Sequence, residues 1–367
     1  MSFSDGQSEP HRVWRTIDAN LNRAGEALRV IEDGLRFVIE DAHLARVCKG
    51  LRHELKLVAD QWPRESLLAM RNASGDVGRH TDVAEEYQRS GMADVLSANF
   101  ARASQSLRVM EEFAKMEEFS RLAGSAAAQG IEQLRYALYD LEKAAMVTLN
   151  SQSRLAEVQL YVLVDGCSST TAFEEQINQL IYGGVDAIQL RDKTLSDRDL
   201  VARARQLVAL ARPHGVLSII NDRADVAVTA RADGLHLGQD DMDLSSARQI
   251  VGSQILVGIS THSLEQARRA QRSGADYIGV GPVFESSTKT FAAHVGPQLL
   301  HEVGADISLP SFAIGGITLD NLDLVIAAGF SRVAVSGGVI SDRELMQEMA
   351  RSFKMRLSSN RSRVDSC

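Results

Sequence analysis

From residue 159 to 356, short β-branched runs alternate strictly with amphipathic segments, and that alternation leaves few folds open. Strand-like runs fall near 159–164, 186–191, 216–221, 234–237, 255–259, 277–280, 311–314 and 332–335. Segments with helical spacing follow them at about 170–182, 197–212, 223–229, 244–251, 263–272, 297–303, 319–328 and 342–356. Such alternation implies a parallel sheet with right-handed crossovers. Eight units over roughly 200 residues suit a closed (β/α)8 TIM barrel, with its site at the C-terminal ends of the strands. A doubly wound open sheet is the alternative, and the lack of a GxGxxG after the first strand counts against it.

The first part of the chain has another period. From about residue 12 to 148 the pattern is helical, Gly and Pro are sparse, and no period-2 strand stands out. It also repeats. DANLNRAGEALRVIED (18–33) matches SANFARASQSLRVMEE (97–112) at a constant offset of 79, which pairs Asn20 with Asn99, Arg29 with Arg108 and Glu32 with Glu111. The apolar stripe Leu21, Ala24, Leu28, Ile31, Leu35 recurs as Phe100, Ala103, Leu107, Met110, Ala114, all on one helix face. A duplicated helical hairpin closing into a bundle is the simplest reading. Asp18 and Ser97 are expected as helix N-caps, and Arg29–Glu32 and Arg108–Glu111 as pairs along a helix. A second reading makes Arg23, Arg29, Arg102 and Arg108 an anion or partner site, completed by the loop RNASGDVGR (71–79). The expected organisation is a flexible tail (1–11), an all-α domain (12–150), the barrel (151–357) and a flexible tail (358–367).

Composition narrows the function classes. A net charge of −8 argues against a general nucleic-acid or anionic-membrane surface, so an anionic ligand needs a local cationic cluster. Cys48, Cys167 and Cys367 are scattered without metal-ligand spacing, which fits reduced thiols in a cytoplasm. No run of 18 apolar residues appears, and MSFSDGQSEPHR lacks an apolar signal core.

The strand-like runs end in residues suited to phosphate and a divalent cation. Arg191 and Lys193 close the second, with Gln189 on the same side by period-2 alternation. Asn221 and Asp222 end the third, and Asp241 follows the fourth. Two carboxylates on adjacent loops suit Mg²⁺, which takes one or two protein carboxylates and fills its octahedron with water and substrate phosphate. As helix N-caps, Asp222 and Asp241 would instead be structural, and Asp240 is the solvated neighbour. His236 lies mid-strand and is expected to pack in or under the barrel, whereas His262 could orient a neighbouring loop. Ser286, Ser287, Thr288 and Lys289 follow the sixth strand, where hydroxyls and backbone N–H groups can cradle a phosphate and Lys289 can neutralise leaving-group charge. IGG (314–316) and VSGG (335–338) close the last two strands, where glycine lets a phosphate approach the backbone. Two phosphate sites facing one cavity suggest the joining of two phosphorylated small molecules, with electrostatic stabilisation of a departing diphosphate.

Residues from about 158 to 356 resemble thiamine-phosphate synthase through QLRDK, IIND, DGLHLGQDD, GISTH, GPVFESSTK, AIGGIT and VAVSGG. The resemblance implies a Mg²⁺-dependent transferase that couples hydroxymethylpyrimidine diphosphate to thiazole phosphate, giving thiamine phosphate and pyrophosphate. It implies that Gln189, Leu190, Arg191, Asp192, Lys193, Asn221, Ser260 and Lys289 hold the pyrimidine diphosphate, with Arg191, Lys193 and Lys289 assisting catalysis. Asp222 and Asp241 would bind Mg²⁺. Ser286, Ser287, Thr288, Gly316 and the Ser336–Gly337 backbone would hold the thiazole phosphate. The family often has Thr in place of Ser286 and Val-Ser in place of Ser336-Gly337, so backbone binding is the safer expectation there. The N-terminal half resembles an extension on a subset of these synthases; that resemblance gives no chemistry, and the half reads as a module for dimerisation, regulation or channelling. A thiazole tautomerase of the same barrel family is the nearest rival, but its relatives carry His where this chain has Pro282, which cannot transfer a proton. A non-catalytic sensor is a further rival, against which the intact Arg191, Lys193, Asp222, Asp241 and Lys289 argue.

Overall fold

The computed structural model describes residues 9–72, 88–285 and 296–364, of which 9–11, 118–125 and 360–364 are described by backbone alone. The chain forms two compact units, Met1–Met146 and Val147–Cys367.

Helices α1 (Glu9–Phe37), α2 (Ala42–Ala59), α3 (Arg64–Ala69) and α4 (Met92–Ala114) make up the described part of the first unit, together with most of α5 (Glu117–Arg154). The repeated stripe explains the packing: Ala24, Leu28, Ile31 and Leu35 on α1 are buried, as are Phe100, Ala103, Leu107, Met110 and Ala114 on α4, and α1 packs mainly on α4 and α2. Each fully buried Leu, Ile or Phe stabilises the unit by about 1.5–3 kcal/mol. The repeat extends to polar groups. Asn20 Nδ2 donates to the Thr16 carbonyl at 2.9 Å, and Asn99 Nδ2 to the Val95 carbonyl at 2.8 Å.

Asp18 and Ser97 are not caps. Helix α1 begins at Glu9 and α4 at Met92, so both residues lie inside helices. Asp18 is buried and accepts two hydrogen bonds from Arg71, at 2.8 Å from Nε and 2.7 Å from Nη2. The pairs along the helix do form, Arg29–Glu32 at 3.9 Å and Arg108–Glu111 at 2.9 Å. Each buried glutamate also meets an arginine from another helix, Arg52 for Glu32 and Arg135 for Glu111. Arg23 and Arg102 are exposed, and most of the loop 71–79 lies outside the described residues.

The second unit is a closed barrel of eight parallel strands in sequence order. The strands are β1 (Leu160–Val164), β2 (Ala187–Leu190), β3 (Leu217–Asn221), β4 (Gly234–Leu237), β5 (Leu256–Thr261), β6 (Tyr277–Val280), β7 (Ser311–Ile314) and β8 (Val333–Val335). Between and after them run α6 (Thr170–Tyr182), α7 (Asp197–Ala211), α8 (Ala224–Ala230), α9 (Leu244–Val251), α10 (Leu264–Ser273), α11 (Gly296–Asp306), α12 (Leu322–Ala327), α13 (Gly337–Ile340) and α14 (Met346–Val364). The chain enters four of these helices through side-chain caps, Ser169, Ser196, Asp243 and Ser263, each accepting from the backbone N–H of the third residue of its helix. Every strand falls where the sequence period puts it. The short α13 was not anticipated, because four residues carry no period. Helix α1 starts at Glu9 and α14 ends at Val364.

Alternation divides the strand residues between two cores. Leu160, Val162, Ile188, Leu190, Ile220, Leu235, Leu237 and Ile278 pack with the helices. Tyr161, Ala187, Ile219, Leu256, Tyr277, Phe312 and Ala334 form a second cluster with Leu155 and Val158, the inward set of the strands. Its three rings meet edge to face, Tyr161 and Tyr277 lying 5.4 and 5.6 Å from Phe312. Gly258 is required beside them: a Cβ there would come within 2.1 Å of the Tyr277 ring.

Candidate active site

The C-terminal ends of β2, β3 and β4 gather the ionisable residues. Asp222, directly after β3, has a left-handed backbone with φ 61°. That conformation costs a non-glycine residue roughly 1–2 kcal/mol. Its N–H donates to the His236 carbonyl at 2.9 Å, which ties it to β4. Asp241 folds back so that its Oδ2 accepts from the Gly238 N–H at 2.7 Å. Neither caps a helix, since α8 is preceded by Arg223 and α9 is capped by Asp243. The two carboxyls act on each other. Burial, then Asp241, raises the pKa of Asp222; Asp241 is lowered, its own burial being outweighed by the bonds from Asp222 and Gly238. Lys193 Nζ stands 3.6 Å from Asp222 Oδ2. Asp240 is exposed.

Two neighbouring carboxyls, each acting on the other's pKa, make a donor set that fits a hard divalent cation. Among the described residues no group of three or more His, Cys, Asp or Glu side chains could hold a metal, so the pair would supply only part of a ligand set.

The QLRDK residues separate by face. Gln189 points into the barrel, where its Nε2 donates to the Tyr161 hydroxyl. Its Oε1 is buried without a hydrogen-bond partner, at a cost of about 1–3 kcal/mol that a ligand donor would relieve. Leu190 faces the helices and is 1% exposed, so only its backbone can reach the rim cavity. Arg191 is half-buried at the end of β2, its N–H donating to the Val164 carbonyl at 2.8 Å. Asp192 braces loops: Oδ2 accepts from the Gly166 N–H at 2.9 Å, and Oδ1 from Thr194 N and Oγ1, both at 2.7 Å. Its burial is outweighed by these bonds, and its pKa is lowered.

Asn221 ends β3 opposite His236 in the register. His236 is buried, as its mid-strand position implies, and its two ring nitrogens meet Tyr277 Oη at 3.2 Å and Ser260 Oγ at 3.0 Å. Burial pushes its pKa down to about 4, so the imidazole is neutral. Tyr161 and Tyr277 hydroxyls lie 3.2 Å apart. This buried set was missed in the sequence, although period-2 alternation places Tyr161, Gln189, His236, Ser260 and Tyr277 on the inner face together. His262 orients a loop, Nδ1 lying 2.5 Å from the Gly281 carbonyl.

The loop after β6 lies directly over IGG. Val283 N–H donates to the Ile314 carbonyl and Phe284 N–H to the Gly315 carbonyl, each at 3.0 Å. A Cβ at Gly316 would come within 2.1 Å of the Glu285 carbonyl oxygen. Gly316 (φ 65°) therefore makes room for this loop, a use beyond the ligand access expected of it. Ser336 Oγ donates to the Leu163 carbonyl at 3.1 Å, which leaves the Ser336–Gly337 backbone as the part able to meet a ligand. Gly337 faces open space. Ser286, Ser287, Thr288 and Lys289 lie outside the described residues.

A closed (β/α)8 barrel with its ionisable groups collected on the C-terminal rim defines the class: an enzyme of the TIM-barrel type. Residues 160–339 match the family model described as thiamine monophosphate synthase, and residues 15–144 match the ThiD2 family. The chain is 39% identical to the thiamine-phosphate synthase of Rhodopirellula baltica over 97% of its length and 98% of the relative's. It is 41% identical to that of Thermosynechococcus vestitus over 94% of its length and 97% of the relative's. The solved thiamine phosphate pyrophosphorylase of Pyrococcus furiosus superposes with a TM-score of 0.51 at 30% identity, covering 55% of this chain and 96% of that one. The chain belongs to the thiamine-phosphate synthase family.

Proposed function

We propose that the chain condenses 4-amino-2-methyl-5-hydroxymethylpyrimidine diphosphate with thiazole phosphate, forming thiamine phosphate and pyrophosphate. The observation that carries this reading is the Asp222–Asp241 pair beside Lys193 at the mouth of the barrel. In this reading Gln189, Asn221 and Ser260 orient the pyrimidine diphosphate, with the backbone at Leu190 and the loop held by Asp192. Arg191, Lys193 and Lys289 face the diphosphate. The bond between the pyrimidine methylene carbon and the bridging oxygen breaks, its electron pair leaves with the diphosphate, and the thiazole nitrogen then gives its lone pair to that carbon. Fixed cationic side chains favour this step because the charge they meet grows as the diphosphate departs. Ser286, Ser287, Thr288, Gly316 and the Ser336–Gly337 backbone hold the thiazole phosphate.

Asp222 and Asp241 would hold Mg²⁺, which when bound supplies neutralising charge to the diphosphate. The reading includes action in the cytoplasm, suited to the free Cys48 and Cys167. No described helix is long and apolar enough to cross a membrane. It also includes assembly into a homo-oligomer through the helical half, for which the exposed Phe37 and Val38 give an apolar edge. Purified protein with both substrates and Mg²⁺ should form thiamine phosphate, detected by chromatography. No product, with either substrate order and with Mg²⁺ in excess, overturns the reading.

A further inference from the structure

Five polar side chains make one unbroken chain through the inside of the barrel. Gln189 meets Tyr161, Tyr161 meets Tyr277, Tyr277 meets His236 and His236 meets Ser260. Its ends, Gln189 and Ser260, stand on β2 and β5 and belong to the site described above.

Requiring every hydroxyl proton to find an acceptor gives the chain a direction. Gln189 uses Nε2 toward Tyr161, so the Tyr161 oxygen accepts there and its proton goes to the Tyr277 oxygen. The Tyr277 proton then goes to His236 Nδ1, and a neutral imidazole accepting at Nδ1 carries its one N–H on Nε2. That N–H donates to Ser260 Oγ, which leaves the serine proton for an acceptor outside the chain. At the other end, Gln189 Oε1 is buried and without a partner. Each hydroxyl has a single proton, so the links from Tyr161 to Ser260 turn together.

We propose that Tyr277 is a positioning residue whose hydroxyl joins the two halves of this chain, fixing an acceptor at Gln189 and a donor at Ser260. The ligand that fits brings an N–H to Gln189 and an anionic oxygen to Ser260, as an amino-substituted pyrimidine bearing a diphosphate does. This inference rests on the condensation proposed above and assigns its selectivity for the amino group. Gly258 shows that the site is built around this ring, since any side chain there would collide with it.

The test is the ratio of kcat/KM for the 4-amino pyrimidine diphosphate to that for its 4-oxo analogue, measured in the wild-type chain, Tyr277→Phe, Tyr161→Phe and the double variant. Either Phe keeps its ring packing and cuts the chain. Each single variant should lower the ratio by about tenfold or more, the value of one misdirected hydrogen bond in a buried site. The double variant should fall no further than the singles, because a chain cut once is already cut. Melting temperatures separate selectivity from packing, and if Tyr277→Phe does not fold, Tyr161→Phe decides. Active wild-type protein with an unchanged ratio in folded variants, or additive losses in the double variant, overturns the inference alone. Wild-type protein that makes no thiamine phosphate overturns the condensation with it.

Discussion

Aspartates stand at both ends of the barrel, and the two ends treat them in opposite ways. Asp186, Asp233 and Asp276 each sit directly before an even-numbered strand. Asp186 accepts from the Gln159 and Leu160 N–H groups, both at 2.9 Å, and from Lys354. Asp233 accepts from Ser218 N at 2.9 Å and Ser218 Oγ at 2.6 Å. Asp276 accepts from Val257 N at 2.7 Å, Arg248 at 2.6 Å and Ser151 at 3.1 Å. These carboxylates are supplied with donors and fasten strand starts. At the opposite end, Asp222 adopts a left-handed backbone and sits beside another carboxyl that raises its pKa. Identical side chains thus stabilise one rim and remain under-compensated on the other, where the proposed ligand would complete them.

Removing the upper carboxylates should have the largest effect. Asp222→Ala and Asp241→Ala are each expected to lower kcat/KM by on the order of 100-fold or more, with little change in melting temperature. Steady-state kinetics and thermal melts check both halves of the statement, and near wild-type turnover at limiting Mg²⁺ would erase the contrast between the rims. Asp276→Ala should do the reverse. It leaves Arg248 without its carboxylate and the Val257 N–H without an acceptor, costing about 3 kcal/mol of stability by urea denaturation. Its turnover well below the melting point should stay near wild type.

A pH series sharpens the comparison further. Asp222 is raised, so the proton it holds stabilises the fold at pH below its unfolded pKa, and that contribution is lost as pH rises through the raised value. Asp241 is lowered; its contribution is present above its unfolded pKa and lost as pH falls through the lowered one. Mg²⁺ bound there would compete with protonation of Asp222. The stability gained on adding Mg²⁺, read as a rise in melting temperature, should therefore be greatest near neutral pH, about 2.7 kcal/mol at a hundred times Kd, and fade as pH drops through the raised pKa of Asp222. A gain independent of pH would place the cation elsewhere. The smallest effect belongs to Ser218→Ala, which removes one of the two donors to Asp233 and should cost about 1 kcal/mol with kinetics unchanged.

Much of this was legible beforehand, for reasons that differ by residue. The strands announced themselves because a parallel barrel buries both faces and each run is β-branched and bounded. Asp222 and Asp241 stood out because polar residues close those runs. Leu190 was grouped with Gln189 by adjacency, although adjacent strand residues face opposite ways. Asp18 and Ser97 looked like caps because the repeat begins with them, while the helices that hold them begin earlier. An aspartate before a strand reads as ordinary loop polarity, and only the recurrence in GVDAIQL, RADGLHL and GADYIGV signals a shared task. The Tyr161–Tyr277 contact joins residues 116 apart in sequence, and no local pattern encodes it.

The lower aspartates also say how the barrel should come apart. Each one reaches from the start of an even strand to the start of the odd strand before it, across 26, 15 and 19 residues. Strands one and two, three and four, and five and six are therefore clipped as neighbours by short loops of chain, the kind of closure that forms early and opens late. Among the described residues, the final pair has no aspartate directly before its even strand. Arg332 precedes β8, and the β7–β8 register consists of Ala313 with Val333 and Ile314 with Ala334. The barrel thus has a seam between its last two strands. Under thermal or chemical stress the amides of Val333 to Val335 are the ones expected to exchange with solvent ahead of the clipped pairs.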